Sequence, residues 1–548
     1  MKKIAASFLA ILLAVCLLPT TAFAATWYIE DGDIQVSASS SGQTVSQGSN
    51  SQQDSAPVIT NRDSTTASGN NVTVSSAAGS SAELTLKGAN IQTDGRSAVE
   101  VGSATAGLVV EGENTLVSDD APAVHVTDGD LTISGNGKLE AETYDSGTYA
   151  AGIGSTDGED MSGSITIGGN ATVVAYADDD GAGIGSGYGG DMTGSITVKD
   201  SAKVDAVSYW DGAGIGSGED GDMTGTIHIT GNADVDAYSD YDGVGIGAGE
   251  DSELSGTVLI DGNARVRARS ANDGAGIGAG ENGYIGKRGS VIIGGNANVT
   301  AIGEDEGAGI GSGEDEVMAG AIIIRDKATV YAYAGTDAAA IGADDSWDMT
   351  GTIMIIDSAR VFTGVADGRG NIIDGETGYI GDSNESSHDS ENGAFVIGKG
   401  ATINGVKGSD IEGLKAFINM HLDKDGKPTN LTLVETVVEN GEVKYLPLYR
   451  VTDEKGNDLP YLASISDGKL TIKAAYDTAV LTGSLNDLKL LSNMGIEEIV
   501  FVTNGGQSEF ETEELLEAGA GAKDYKLSHE GEKAVLTADG KELKDILD

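Results

Sequence analysis

Between residues 140 and 364 the apolar positions fall into three columns that advance together. The first is Ile153, Ile184, Ile215, Ile246, Ile277, Ile310 and Ile341, stepping by 31 residues except for one step of 33. The second (Ile165, Ile196, Ile227, Val258, Val291, Ile322, Ile353) and the third (Val173, Val204, Val235, Val266, Val299, Val330, Val361) keep the same steps. Around each column the pattern alternates. Ile227 and Ile229 point inward while Thr226 and His228 point outward; Val235 and Ala237 oppose Asp234, Asp236 and Tyr238. Alternation over such short segments is the period of a half-buried strand, not of a helix. Strands stacked at about 4.8 Å bury Ile, Val and Ala between neighbouring coils. The pattern therefore predicts an all-β solenoid, a right-handed parallel β-helix with three strands per coil of 31 residues.

The period also marks the domains. Leu84, Leu108 and Leu131 are 24 and 23 apart and predict shorter coils upstream. Residues 25–82 read as an N-terminal cap with the first irregular coils, including a Ser/Gln-rich loop from Ser39 to Ser55. The β-helix is expected over 83–408, with Phe395 to Ile403 as its last coil. From 409 to 548 glycine falls and Leu, Lys and Glu rise, which indicates a small α+β domain. There Ser484 can cap a helix carrying Leu485, Leu488, Leu491 and Met494, closed by Gly495. A strand at Ile499 to Thr503, a short helix at Glu511 to Ala518 and a hairpin through Asp539-Gly540 follow.

Residues 1–24 read as an export signal: Lys2 and Lys3, an apolar run from Ile4 to Leu18, then Ala22-Phe23-Ala24. The run is short for a membrane span, and Val15 before Cys16 does not suit a lipid anchor. The protein is expected outside the cell, secreted or loosely held at a surface, because the polar end from Lys541 to Asp548 carries no sorting motif. Cys16 is the single cysteine, so the exported chain has no disulfide and depends on packing and backbone hydrogen bonds. Asp and Glu number 86 against 33 Lys and Arg, a net charge of −53. That field disfavours nucleic acid and anionic membranes and favours divalent cations.

Three surfaces are candidates for function. In Gly214-Ile215-Gly216-Ser217-Gly218 the glycines are expected to face outward as a bare backbone ribbon. Acidic turns flank it: Asp180, Asp211, Asp242, Asp273, Glu306 and Asp337 on one side, and on the other Glu219, Asp220 and Asp222, then Glu250, Asp251 and Glu253, then Glu314, Asp315 and Glu316. Asp180, Asp211, Asp242, Asp273, Asp222 and Glu253 are the candidate ligands for Ca²⁺, a cation that prefers oxygen donors. Solvated turns that keep a β-rich chain soluble are the alternative. The second surface is the outward row of the third strand, where Asp234, Asp236, Tyr238, Arg265, Arg267, Arg269, Tyr331 and Tyr333 are candidate ligand-binding residues. Asp234 and Asp236 should pair with Arg265 and Arg267, and Tyr238 should lie under Arg269. Such a row is either a self-satisfied ladder or a sugar-binding face. The third surface is an outward apolar stripe of Leu259, Ile292, Ile323 and Met354, too long to stand bare on a soluble monomer. The C-terminal domain, the 364–393 excursion or a partner chain should cover it.

The units Gly-Ala-Gly-Ile-Gly, Gly-Ser-Ile-Thr-Ile and Asn-Ala-x-Val-x-Ala, over about residues 140–364, resemble the repeats of secreted β-helical surface proteins of Gram-positive gut bacteria. The resemblance implies a β-helix and an adhesin-like or carbohydrate-binding-like role, with no residue of a binding motif carried over. Enzyme signatures are missing: His125, His228, His388, His421 and His529 share no metal or triad spacing, and no P-loop or zinc-protease motif occurs. No catalytic residue is assigned. The expectation is a non-enzymatic β-helix binding an extracellular polysaccharide or host or cell-surface glycan, with Ca²⁺ as candidate cofactor. A structural adhesin stalk displaying the C-terminal domain, and a polysaccharide lyase or glycoside hydrolase, are the alternatives.

Overall fold

The computed structural model describes residues 24–547 apart from short internal stretches, the longest being 383–392. Residues 1–23, which hold most of the expected export signal, and Asp315, Asp337, His388, Met494 and Gly495 lie outside the described residues.

The chain winds into three sheets of 14, 14 and 12 strands. Their body is parallel and in the register the columns imply, with Ile184 opposite Ile215, Ile196 opposite Ile227 and Val204 opposite Val235. The step of 33 keeps that register, since Val258 pairs with Val291 and Ile277 with Ile310. Leu254 and Ile285 are also bridged, so the two extra residues of that coil lie between Ile285 and Ser290 and carry Lys287 and Arg288 outward. All three columns are buried, as is a fourth formed by Met161, Met192, Met223, Leu254 and Ile285 at the bend before the second strand. Asn263 Nδ2 donates to Asn232 Oδ1 at 3.2 Å and Asn296 Nδ2 to Asn263 Oδ1 at 3.0 Å, an amide ladder along the axis.

Parallel stacking begins at Thr26, opposite Val58. The Ser39–Ser55 stretch, expected as a loop, forms strands Gly42–Gln47 and Asn50–Gln53 in an antiparallel run on the first coil. Asn50–Gln53 is exposed throughout, so it lacks the hydrophobic alternation that marks a strand in sequence. Such a polar hairpin blunts the open end of the solenoid. At the other end Leu431–Val434 adds to Ala394–Gly398 in parallel, and Leu414, Ile418 and Met420 close the core.

The glycine strand differs from expectation. Gly214, Gly216 and Gly218 are buried, not displayed as a ribbon. A Cβ on Gly216 would stand 1.7 Å from the carbonyl oxygen of Gly247, and its φ of +149° is one that side chains rarely adopt. A Cβ on Gly214 would meet the backbone nitrogen of Tyr238 at 2.5 Å. Glycine thus lets neighbouring coils, and the glycine and third strands, approach backbone to backbone. Ala182, Ala213, Val244, Ala275 and Ala308 fill a narrow second core beside this contact.

The C-terminal domain has its own core, built around Ile472, Leu481, Leu488, Phe501, Leu515 and Leu527. Its helix Leu485–Asn493 follows Ser484, whose Oγ accepts from the Asp487 N–H at 2.9 Å. The strand Glu498–Val502 lies between Lys469–Lys473 and Gln507–Glu511. On the solenoid's second-strand face Ile323 and Met354 are buried with Ala321, Ile356 and Val396, while Leu259 and Ile292 stay half-buried. Arg288 reaches Glu497 at 2.6 Å, and Lys287, Arg288, Ala319 and Thr350 share a cleft of about 720 Å³ with Lys489, Ser492 and Glu497. The C-terminal domain therefore stands against this side of the solenoid.

Candidate functional site

The acidic turns meet at one corner of the coil. The turn after the third strand supplies Asp180, Asp211, Asp242 and Asp273, and the turn after the glycine strand supplies Glu219, Glu250 and Glu281. The backbone locks the two turns together across coils. Glu219 N–H donates to Asp180 C=O at 2.9 Å, Glu250 N–H to Asp211 C=O at 2.9 Å and Glu281 N–H to Asp242 C=O at 2.8 Å. Along the axis, Asp242 N–H donates to Asp211 Oδ1 at 3.2 Å and Asp273 N–H to Asp242 Oδ1 at 3.4 Å. Asn272 Nδ2 donates to Asp242 Oδ1 at 2.6 Å, which helps hold that carboxylate, only 6% exposed, inside the wall.

Carboxylate oxygens of Asp180, Asp211 and Glu219 lie within 4.8 Å of one another, and the same holds for Asp211, Asp242 and Glu250 and for Asp242, Asp273 and Glu281. Burial, then mutual repulsion, raises the pKa values of Asp180, Asp211, Asp273, Glu219, Glu250 and Glu281. Asp180 is pushed up to about 7, Glu219 to about 8, Glu250 to about 9, Asp273 to about 6 and Glu281 to about 7, and Asp211 is also raised. Among the described residues, the charges that act most strongly on these groups are other carboxylates. An all-oxygen set of this span, about twice a Ca–O bond of 2.3–2.6 Å, suits a hard divalent cation.

Four of the six residues named from sequence as metal ligands thus converge: Asp180, Asp211, Asp242 and Asp273. Asp222 and Glu253 belong to a different ladder. Asp222 N–H donates to Asp191 Oδ1 at 3.0 Å, Glu253 N–H to Asp222 Oδ1 at 2.9 Å and Tyr284 Oη to Glu253 Oε2 at 3.0 Å. Glu281 is missed by the sequence reading, which treats Glu219 and Glu250 only as flanking acids. The same 31-residue step that links 219, 250 and 281 is the signal that could have found them.

The outward row of the third strand is largely engaged with itself. Arg267 pairs with Asp236 at 3.6 Å. Arg265 stands opposite Asp234 in register, with no ion pair between them among the described residues. Arg269 covers the Tyr238 ring at 4.1 Å, as expected, and also meets the nearly buried Glu304 at 3.2 Å. That contact is charge to charge, without hydrogen-bond alignment. Tyr331 stacks on Phe362 at 4.9 Å, and the Tyr333 ring lies over the backbone of Gly364.

Further aromatic rings, some exposed and some half-buried, lie at the end of the third strand and in the turns beyond it, and sequence reasoning misses them. Trp210 meets Tyr241 at 5.4 Å, Tyr176 meets Tyr209 at 6.0 Å and Tyr149 meets Tyr188 at 5.4 Å. Tyr149 and Tyr188 continue the two acidic columns by one coil: Tyr188 N–H donates to Tyr149 C=O at 2.9 Å, as Glu219 does to Asp180. Away from both surfaces, His125 bridges coils, with Nδ1 2.9 Å from Glu100 and Nε2 2.8 Å from Glu159.

No protein-family model, curated protein or solved structure matches this chain. Among the described residues, no helix is long and apolar enough to cross a membrane.

Proposed function

We propose that this protein is a secreted, non-enzymatic β-helix that binds an extracellular glycan and holds Ca²⁺ in the carboxylate ladder. The observation that carries the proposal is the run of three triads sharing Asp211 and Asp242, in which burial and repulsion disfavour the charged form of Asp211 and Glu250 and, among the described residues, no cationic side chain pairs with the triads. A divalent cation supplies the missing charge. Extracellular modules bind Ca²⁺ with Kd values on the order of 10⁻⁴–10⁻³ M, which such a wall-side site can reach. The even repetition of the triads favours binding over catalysis, since hydrolysis needs two carboxyl groups whose environments set them apart. The leader and the repeat resemblance support an extracellular setting.

Adjacent triads share a residue and lie about one strand spacing apart, so two doubly charged ions on neighbouring rungs repel. The outer triads, Asp180/Asp211/Glu219 and Asp242/Asp273/Glu281, share none and can fill together. Calorimetry on the full chain after chelation is expected to show two Ca²⁺ per protein, and a glycan array is expected to show Ca²⁺-dependent binding. Absence of both the calcium heat and a calcium-dependent rise in Tm removes the metal, and a blank array removes the glycan. A stalk that displays the C-terminal domain is the second proposal, favoured by that domain's separate core. Glycan binding confined to the C-terminal domain would decide for it.

A further inference from the structure

Eight large hydrophobic side chains are exposed among the described residues, and five of them, Tyr144, Tyr149, Tyr209, Trp210 and Tyr241, lie between residues 144 and 241. Scattered exposure needs no explanation, but clustering on one corner does. Trp210 is 49% exposed, Tyr241 45% and Tyr209 42%, so their ring faces are open to solvent. Their backbone is nevertheless fixed. Buried Ser239 donates from Oγ to the Trp210 carbonyl at 2.7 Å, and buried Ser270 does the same for Tyr241 at 3.0 Å. A rigid aromatic platform loses little entropy when a ligand lies on it.

The charges around the platform say what ligand it fits. Tyr209 feels Glu142, Asp178, Asp240 and Asp205, and Tyr176 feels Asp205, Glu140 and Glu142. None of these acids belongs to the ladder triads, so Ca²⁺ in the triads leaves their charge in place, whereas Tyr241 faces the ladder acids Asp242, Asp211, Glu281 and Asp273, whose charge the ion offsets. The nearby Lys138 is already paired with Glu140 at 3.1 Å. The corner thus offers ring faces and acceptors with little positive charge. Uronate and sulfated chains are repelled. A sugar bearing an ammonium group gains three things together: its C–H face on the rings, a cation–π contact, and charge-assisted hydrogen bonds to carboxylates.

We propose that the aromatic corner formed by Tyr176, Tyr209, Trp210 and Tyr241 binds a glycan carrying free amino groups, laid along the solenoid axis. This rests on the glycan-binding proposal above and gives it a site and a substrate class. The test is calorimetry on the full, Ca²⁺-loaded chain with a β-linked glucosamine oligomer, its N-acetylated counterpart, an oligouronate and oligolysine. The glucosamine oligomer is expected to bind, its acetylated counterpart at least about tenfold more weakly and the uronate not at all. Trp210→Ala and Tyr241→Ala should each weaken binding about tenfold at unchanged Tm, since both rings are exposed. Equal binding of the acetylated oligomer overturns the amine requirement. Unchanged affinity in both variants overturns the site, and oligolysine binding as tightly as the sugar overturns the glycan as ligand of this corner. If glucosamine oligomers fail while other glycans bind on the array, this inference falls and the broader proposal stands; if no glycan binds, both fall.

Discussion

Raising the pH in the presence of chelator should destabilise this solenoid over a range in which most proteins keep their stability. Asp180, Asp273, Glu219, Glu250 and Glu281 have folded pKa values above their unfolded ones: Asp180 moves from 3.8 to about 7 and Glu250 from 4.5 to about 9. A group raised in this way contributes stability that is full below its unfolded pKa and is lost as pH rises through the folded value. The loss therefore begins above the unfolded values of 3.8 and 4.5, is complete for Asp273 by about pH 6 and continues to about pH 9, where Glu250 ionises. Each pKa unit is worth about 1.4 kcal/mol in a group shielded from water. These carboxyls shift by more than one unit but are only about half buried and repel one another, so solvent screening and coupling reduce each group's contribution to about 1 kcal/mol. Five such groups give about 5 kcal/mol, an upper value because neighbouring sites titrate together. At about 2.1 cal/mol/K per residue over about 400 residues, Tm should fall by roughly 6 °C. The assay is a series of thermal melts from pH 5 to 9, with chelator and with Ca²⁺. Calcium should suppress the fall by binding the ionised form. The double variant Asp211→Asn, Glu250→Gln should flatten it without calcium, which separates the ladder from the general repulsion of an acidic chain. A Tm that stays level or rises from pH 5 to 9 in chelator would refute the reasoning.

Gly216→Ala should cost about 3 kcal/mol or more, because the new Cβ meets the Gly247 carbonyl and the φ is wrong for it; reduced Tm or loss of soluble protein is the readout, and a neutral substitution would contradict the close coil packing. Ile227→Ala should cost about 2–5 kcal/mol and speed hydrogen exchange most in the coils on either side, since a solenoid passes strain to its neighbours. The His125 pKa is raised: burial alone would lower it, but Glu100 and Glu159 outweigh that. Its contribution, about 1 kcal/mol, is full below pH 6.5 and disappears as pH rises through the folded value. His125→Gln should remove that step, as seen by NMR titration of the ring and by melts from pH 5 to 8.

The repeat is legible in the chain alone. A 31-residue period and a two-residue alternation are local properties, and for Ile215, Ile227 and Val235 they state both the strand and the buried face. The coil-to-coil register follows, because shifting one column by a residue would turn its whole apolar set to solvent. Ser484 and Asp539-Gly540 are equally readable, since a cap and a tight turn act on their own neighbours. What the chain does between strands is not. The Gly214–Gly218 segment reads as a displayed surface, because spacing shows which way a residue points relative to Ile215 but not what packs behind it. Only the folded coil brings the third strand against it and buries it.

The same division applies to the site. The acids stand in plain columns, and the sequence singles out the Asp180, Asp211, Asp242 and Asp273 column. It cannot choose between Glu219 and Asp222 as partners, because that choice depends on how far the glycine turn folds over the preceding coil. Nor can it distinguish Tyr238, capped by Arg269, from Tyr241, open to solvent three residues on. The sequence by itself determined the solenoid, its interior and its acidic character, because periodic burial is written residue by residue. The tertiary structure decided which acids meet and which rings stay bare, because those contacts join residues 30 to 40 positions apart through the path of the turns.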